Sequence, residues 1–277
     1  MQRAERIEAS IRERDKRWQI GEEHLLPPLL LLLFIFSWDL LVRWQGYPAF
    51  FLPSPHRVAA RFIVAVREGT LQMHTLVTLY EIFWGLILGL SVALVLGYLL
   101  AKSPMLERIL SPYIVASQAI PVVALAPLLV VWFGAGSLSK VLVCALTIFF
   151  PVLINTMVGV RSVDEQLMDL MRSLQASQWQ IFRLLELPAA LPIVFGGLKV
   201  GVTLSVIGAV VGEFVAADRG LGFLINLARG LFDTPLMFVA LFTLMFIALA
   251  LYFAVSTLER AVLTWHWPQG DREGKRL

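Results

Sequence analysis

Residues 161–192 read RSVDEQLMDLMRSLQASQWQIFRLLELPAALP, a charged interlude in an otherwise apolar second half of the chain. The stretch predicts two short helices. Ser162 with Glu165, and Ser177 with Gln180, fit the S-x-x-[E/Q] capping box, in which the serine oxygen accepts an orphan backbone N–H and the later side chain reaches back. Leu167, Leu170, Met171 and Leu174 fall at i, i+3, i+4 and i+7, while Trp179, Phe182 and Leu185 share a face of the second helix. A polar loop with two apolar stripes either docks on a partner or lies flat on a lipid surface.

The surrounding sequence decides what kind of protein carries this loop. Apolar residues make up 58% of the chain and charged residues 16%, against roughly 45–50% and 25% in soluble domains. The fold class expected is therefore all-α, a polytopic membrane protein. Crossing a hydrocarbon core of about 30 Å takes roughly 20 helical residues, and six apolar runs approach or exceed that length: 25–42, 82–100, 109–133, 141–160, 191–215 and 236–262. The chain thus divides into an N-terminal segment 1–24, a transmembrane domain 25–262 with its long loop at about 161–190, and a tail 263–277.

Charge sets the orientation. With both termini on one side, that side carries 15 of the 23 Lys and Arg residues, the opposite side seven, and Lys199 lies within a span. The excess of basic residues puts both termini and the double-helix loop in the cytoplasm. Residues 1–24 hold six basic and six acidic residues with no apolar run, so they are not read as a signal peptide; Ala4, Ile7, Ile11 and Trp18 share a helical face suited to a membrane surface. The net charge of +3 follows from topology and calls for no nucleic-acid partner.

Within the spans, Gly85, Gly89 and Gly97 of the second and Gly197, Gly201, Ser205, Gly208 and Gly212 of the fifth form stripes of small residues. Such stripes let helices approach closely in lipid, although glycine is also simply common there. The third span is interrupted by Pro112, Pro121 and Pro127, which free carbonyls that need protein or a water-filled path beside them. Pro121, Pro127 and the nearby Trp132 are candidate path residues; a plain packing kink is the other reading. Lys199 lies deep in its span and serves either the path or a snorkelling contact with headgroups. Asp39 and Glu213 fall near outer ends where water reaches them. The outer loop predicts a short helix with Val58, Phe62 and Val66 on one face.

Chemistry-bearing constellations are sparse. The single cysteine, Cys144, excludes a disulfide within the chain, and His24, His56, His74 and His266 are scattered over loops at both faces. No metal site and no catalytic residues are expected.

The loop resembles the coupling loop of permease subunits in binding-protein-dependent ABC importers, whose pattern is E-A-A-x-x-x-G-x9-I-x-L-P. Asp169 takes the Glu position, Leu170 and Met171 the two Ala positions, Gln175 the Gly position, Leu185 the Ile position, and Leu187-Pro188 the L-P. The resemblance extends from about residue 52 to 260 through Leu52-Pro53-Ser54-Pro55, Ala119-Ile120-Pro121, Ala126-Pro127, Trp132-Phe133-Gly134, Phe149-Phe150-Pro151, Gly159-Val160-Arg161, Arg172-Ser173-Leu174 and Gly220-Leu221-Gly222. These are similar to the branch importing nitrate, sulfonates and taurine. The wording SQAIPVVALAPLLVVWFG is closer to members assigned to riboflavin or thiamine-pyrimidine precursors.

The resemblance implies a type I permease fold in a prokaryotic plasma membrane, a homodimer of permeases, two cytoplasmic ATPase subunits and an extracytoplasmic solute-binding protein. Asp169, Leu170, Met171, Leu174, Gln175, Ala176, Ser177, Phe182, Leu187 and Pro188 would form the ATPase-coupling surface. The sequence agrees, because no G-x-x-x-x-G-K-[ST] loop occurs; ATP and Mg would bind the partner and no cofactor this chain. Glycine suits the bend between the loop helices because positive φ costs it little, so with Gln175 there the bend is expected to re-form at Ala176 and Ser177. The competing class is a stand-alone secondary transporter, which would show more buried carboxylates or histidines for ion coupling.

Overall fold

The computed structural model describes residues 26–263; the segment 1–24 and the tail from 264 lie outside the described residues. Those described form helices joined by short turns, with no strand among them. In chain order they are α1 (Leu26–Gln45), α2 (Pro55–Arg67), α3 (Thr70–Lys102), α4 (Pro104–Gln118), α5 (Val122–Phe133), α6 (Ser137–Arg161), α7 (Glu165–Ser173), α8 (Gln178–Ile181), α9 (Leu187–Ala216), α10 (Leu221–Gly230) and α11 (Thr234–Val262). A π-helical turn, Phe182–Glu186, joins α8 to α9, so Gln178–Ala216 is one rod of 39 residues.

Five of these helices are long and apolar enough to cross a membrane, or six if α4 and α5, bent by 94° at their break, count as one span. The break falls at Ala119–Pro121, where Pro121 takes an extended backbone and starts α5. Pro112 and Pro127 lie inside α4 and α5 without ending them.

The core is α6, held between α3 and α9. Lipid supplies no hydrophobic incentive for helices to associate, so backbone proximity through small residues does the work. A Cβ placed on Gly89 of α3 would stand 2.6 Å from the Ala145 carbonyl oxygen, and one on Gly97 would stand 2.7 Å from Thr156 Cβ. From the other side, a Cβ on Gly197 of α9 would stand 2.6 Å from Asn155 Cβ, and one on Gly208 would stand 2.8 Å from Thr147 Oγ1. Both glycine stripes therefore face α6, and Cys144 is fully buried between them with Ile148 and Val152.

The remaining elements close the two ends. At the end opposite the 161–188 loop, the far end, α2 packs on α11 through Val58 and Ala65, with Phe62 left exposed. Arg61 pairs with Asp233 at 2.8 Å, and Asp233 in turn caps α11 by accepting from the Leu236 N–H at 3.1 Å. α1 leans on α11 through Trp38, whose ring stacks on Phe238 at 5.4 Å.

Two neighbouring positions on α9 separate tight packing from mere glycine content. Gly196 has open space where its Cβ would go, so Gly196→Ala leaves stability unchanged or raises it by up to about 1 kcal/mol through helix propensity. Gly197→Ala forces α6 and α9 apart and lowers stability by about 1–3 kcal/mol. Thermal unfolding of the purified variants in detergent measures both; equal shifts would show that Gly197 is not packed tightly against α6.

Candidate functional site

The loop between α6 and α9 is built from local capping chemistry. Asp164 starts α7 by accepting from the Gln166 N–H at 2.8 Å, an N-cap of the usual acidic kind. Ser162 does not fill that role as its sequence spacing suggested: its hydroxyl donates to the Gly159 carbonyl at 2.8 Å and finishes α6 instead. The second start signal holds, since Ser177 and Gln180 form a reciprocal capping box, with Ser177 N–H donating to Gln180 Oε1 at 2.7 Å and Gln180 N–H to Ser177 Oγ at 3.3 Å.

The bend itself stays where a glycine would serve. Gln175 adopts φ +55°; the bend is not displaced to Ala176 and Ser177. Its N–H donates to the Arg172 carbonyl at 2.9 Å and the Ala176 N–H donates to the Met171 carbonyl at 3.0 Å, which is the Schellman arrangement closing a helix C-terminus. Two otherwise orphaned carbonyls are satisfied, and this offsets the strain of a left-handed glutamine.

The sequence-predicted docking residues lie along this hairpin. Leu167, Leu170 and Leu174 are exposed on α7 and its C-cap, Leu174 at 68%, and Trp179 is exposed at 65% on α8. No residue of α7 is fully buried, so its apolar stripe is left largely open among the described residues. Asp169 pairs with Arg172 at 3.0 Å on the open surface. Met171 and Ala176 are half-buried, and Phe182 turns inward, its ring 5.3 Å from Tyr98 of α3.

Beyond Phe182 the π turn begins, its Leu187 N–H reaching back five residues to the Phe182 carbonyl. Pro188 follows at once; its ring crowds the preceding turn, which the wider π geometry relieves. Glu186 is buried within this turn, paired with the Lys102 ammonium and accepting from the Tyr98 hydroxyl at 3.2 Å. Arg161, at the end of α6, forks onto both oxygens of Glu107 at 2.6 Å and onto the Leu100 carbonyl at 3.2 Å, the bidentate geometry that favours arginine. An apolar cavity of about 660 Å³ lies between α3 and the α8–α9 rod, with Leu94, Tyr98, Thr156, Trp179 and Phe182 on its walls.

The candidate path residues are not gathered at one point. Pro121 stands at the α4–α5 break, Pro127 lies within α5, and Trp132 is exposed near its end. Lys199 instead forms an ion pair with Glu259 on α11. Asp39 pairs with Arg43 at 2.7 Å.

A second polar assembly at the far end escaped the sequence reading. Glu213 is buried on α9, not water-accessible: its Oε1 accepts from Thr78 Oγ1 at 2.6 Å and its Oε2 from the Gly222 N–H. The Leu221 N–H donates to Thr78 Oγ1 at 2.8 Å and the Gly220 N–H to His74 Nδ1 at 3.0 Å. Gly220 has φ +113°, and a Cβ there would overlap the Glu213 carboxyl, so only glycine admits the carboxylate into this turn. Glu81 and Lys140 are buried nearby. The apolar runs begin at Ile82 and Val141, one residue past each, so both were assigned to aqueous loops; α3 starts at Thr70 and buries what the run excluded.

This architecture matches known proteins. Residues 85–264 match the family "Binding-protein-dependent transport system inner membrane component", and the chain belongs to it: it is a permease subunit of an ABC importer, with ATP hydrolysis belonging to a separate chain. It is 54% identical to the riboflavin transport system permease protein RibX of Chloroflexus aurantiacus over 87% of this chain and 89% of that one. It is 37% identical to the formylaminopyrimidine transport permease protein ThiX of Halalkalibacterium halodurans, covering 88% and 97%. Among solved structures, an inward-facing form of the MetNI methionine ABC transporter superposes with a TM-score of 0.55 at 22% identity, over 67% of this chain and 91% of that one, which shows the shared fold.

The strained turn gives a direct test. Gln175→Gly relieves a left-handed side chain and stabilises the hairpin by about 1 kcal/mol, whereas the β-branched Gln175→Val weakens it. Hydrogen exchange at the Gln175 and Ala176 amides slows in the first variant and quickens in the second. Faster exchange in Gln175→Gly would contradict the Schellman reading.

Proposed function

We propose that this chain forms the translocation path of an importer for a small heterocyclic vitamin or vitamin precursor, riboflavin foremost, and that the α7–α8 hairpin transmits work from a cytoplasmic ATPase. The observation that carries the substrate reading is the 54% identity to a riboflavin permease along almost the full length of both chains. The docking reading is supported by an apolar stripe, Leu167, Leu170 and Leu174, held in the open on a helix with no buried residue.

Two copies of the chain would enclose the path, each hairpin resting on one ATPase subunit and a solute-binding protein delivering substrate at the far end. ATP and Mg would bind the ATPase. The excess of Lys and Arg at the hairpin end supports a cytoplasmic location for that end and for both termini, in the plasma membrane of a prokaryotic cell. Residues 25–262 would then be the membrane domain, flanked by cytoplasmic segments 1–24 and 263–277. Among the hairpin residues, Leu170, Leu174, Gln175 and Ser177 meet or shape the ATPase contact, while Phe182, Leu187 and Pro188 fasten the hairpin to α3 and α9.

Leu170→Asp and Leu174→Asp each put a charge at the centre of the stripe and weaken ATPase association by about tenfold or more, seen as loss of co-purification while the permease stays in the membrane. Retention of the ATPase by both variants would sink the docking claim. Proteoliposomes holding permease, ATPase and binding protein should accumulate riboflavin in an ATP-dependent manner and not taurine. Taurine uptake without riboflavin uptake would reassign the substrate while leaving the transport role intact.

A further inference from the structure

Glu81 is a carboxylate without a donor. It sits on α3 one turn beyond Thr78, is 1% exposed, and among the described residues neither of its oxygens accepts from an N–H or a hydroxyl, while the Glu213 carboxyl lies within hydrogen-bonding reach. Its carboxyl faces Glu213 across the helix seam, with Lys140 the cation near it. Glu213 is already engaged by the Thr78 hydroxyl and the Gly222 N–H. Lys140 is buried and its Nζ donates to the Ala135 carbonyl at 2.8 Å. The other titratable groups on the packed elements are Cys144, whose thiol donates to the Ser205 carbonyl at 3.6 Å, and His74, whose Nδ1 accepts from Gly220. Arg219 lies beside His74.

The charges here do not balance. Two carboxylates and one ammonium leave one negative charge in a buried place, and a buried carboxylate that no donor satisfies is strongly disfavoured. No cluster of three His, Cys, Asp or Glu residues forms a multidentate metal site among the described residues, and a single monovalent charge restores neutrality. We propose that the Glu81–Glu213 pair binds one small monovalent cation, either a proton bridging the two carboxyls or an alkali-metal ion, enclosed by α3, α6, α9 and the Gly220–Gly222 turn. The cation lets Glu213 remain seated in that turn, and so fastens α10 to α3 and α9. The proposal stands apart from the choice of substrate.

The purified full-length chain in detergent tests it. A bridging proton gives an infrared band of a protonated carboxyl that disappears in Glu81→Gln. An alkali ion gives instead a higher unfolding temperature in sodium or potassium chloride than in choline chloride, and Glu81→Gln abolishes the difference. Either result supports the site and names its occupant. Absence of both signals in the wild-type chain overturns the proposal, as does persistence of the observed signal, undiminished, in Glu81→Gln. If that variant does not accumulate, Glu213→Gln carries the same measurements, and the wild-type result alone can still overturn the idea.

Discussion

Everything in this fold depends on how closely α6 is approached from both sides. Glycines on α3 and α9 bring those backbones to within a methyl group of α6, at Ala145 and Thr156 on one side and at Thr147 and Asn155 on the other. In water, burial of larger apolar side chains would hold three helices together. In lipid that drive is absent, and contact between backbones, with its many small dispersion gains, has to replace it. The arrangement is unforgiving, because a single Cβ in the seam meets backbone or a branched carbon. It also explains why the one cysteine sits where it does: Cys144 is small enough to be enclosed completely where all three helices meet.

Polar side chains then fix the two ends of the three-helix unit, where the glycine seams stop. At the loop end Glu186 joins the π turn to Lys102 and Tyr98 of α3, and Arg161 ties α6 to α3 and α4. At the far end Glu213 of α9 binds Thr78 of α3 and the turn before α10. Apart from the exposed Arg161–Glu107 pair, these are buried or half-buried contacts near the mouths of the helices, where an unpaired polar group would be costly and a paired one fixes register. Register matters because glycine stripes alone present a smooth surface along which helices can slip.

Much of this was legible in the sequence, for reasons particular residues make plain. Apolar runs of span length gave the membrane class, the two glycine stripes marked helices that pack closely, and of the three prolines expected to interrupt the third span only Pro121 stands at the break. The Ser177–Gln180 capping box was read correctly because it depends only on residues three apart. Ser162 was misread because Asp164, two residues on, offers a competing cap, and spacing cannot rank two adjacent candidates. Gln175 was expected to avoid positive φ; the two Schellman hydrogen bonds outweigh that local preference, and they form only once α7 is in place. Glu81 and Lys140 were missed because the hydropathy of a run reports lipid contact, whereas their burial comes from other helices. Glu186 lies within the coupling motif, yet its pairing with Lys102 links positions 84 residues apart.

The proposed coupling follows from the continuity of the α8–α9 rod. At 1.5 Å per residue, Gln178–Ala216 spans about 58 Å, so a force on the hairpin acts on a helix that reaches the other end of the bundle without an intervening flexible loop. The π turn is where its hydrogen-bond ladder widens, and Glu186 pins that turn to α3. Under the proposed coupling, motion of the hairpin would be converted into rotation of α9 about a fixed point near its start. The face of α9 toward α6 is lined with glycine and Ser205, which present shallow ridges and resist such rotation little. The far end of the same helix carries Glu213, seated in the Gly220–Gly222 turn. Displacement of α9 must either carry α10 with it or unseat that carboxylate, and the second course breaks its hydrogen bonds in a buried place. The less costly course moves α9 and α10 together, which links the hairpin at one end of the bundle to the helix that caps the other.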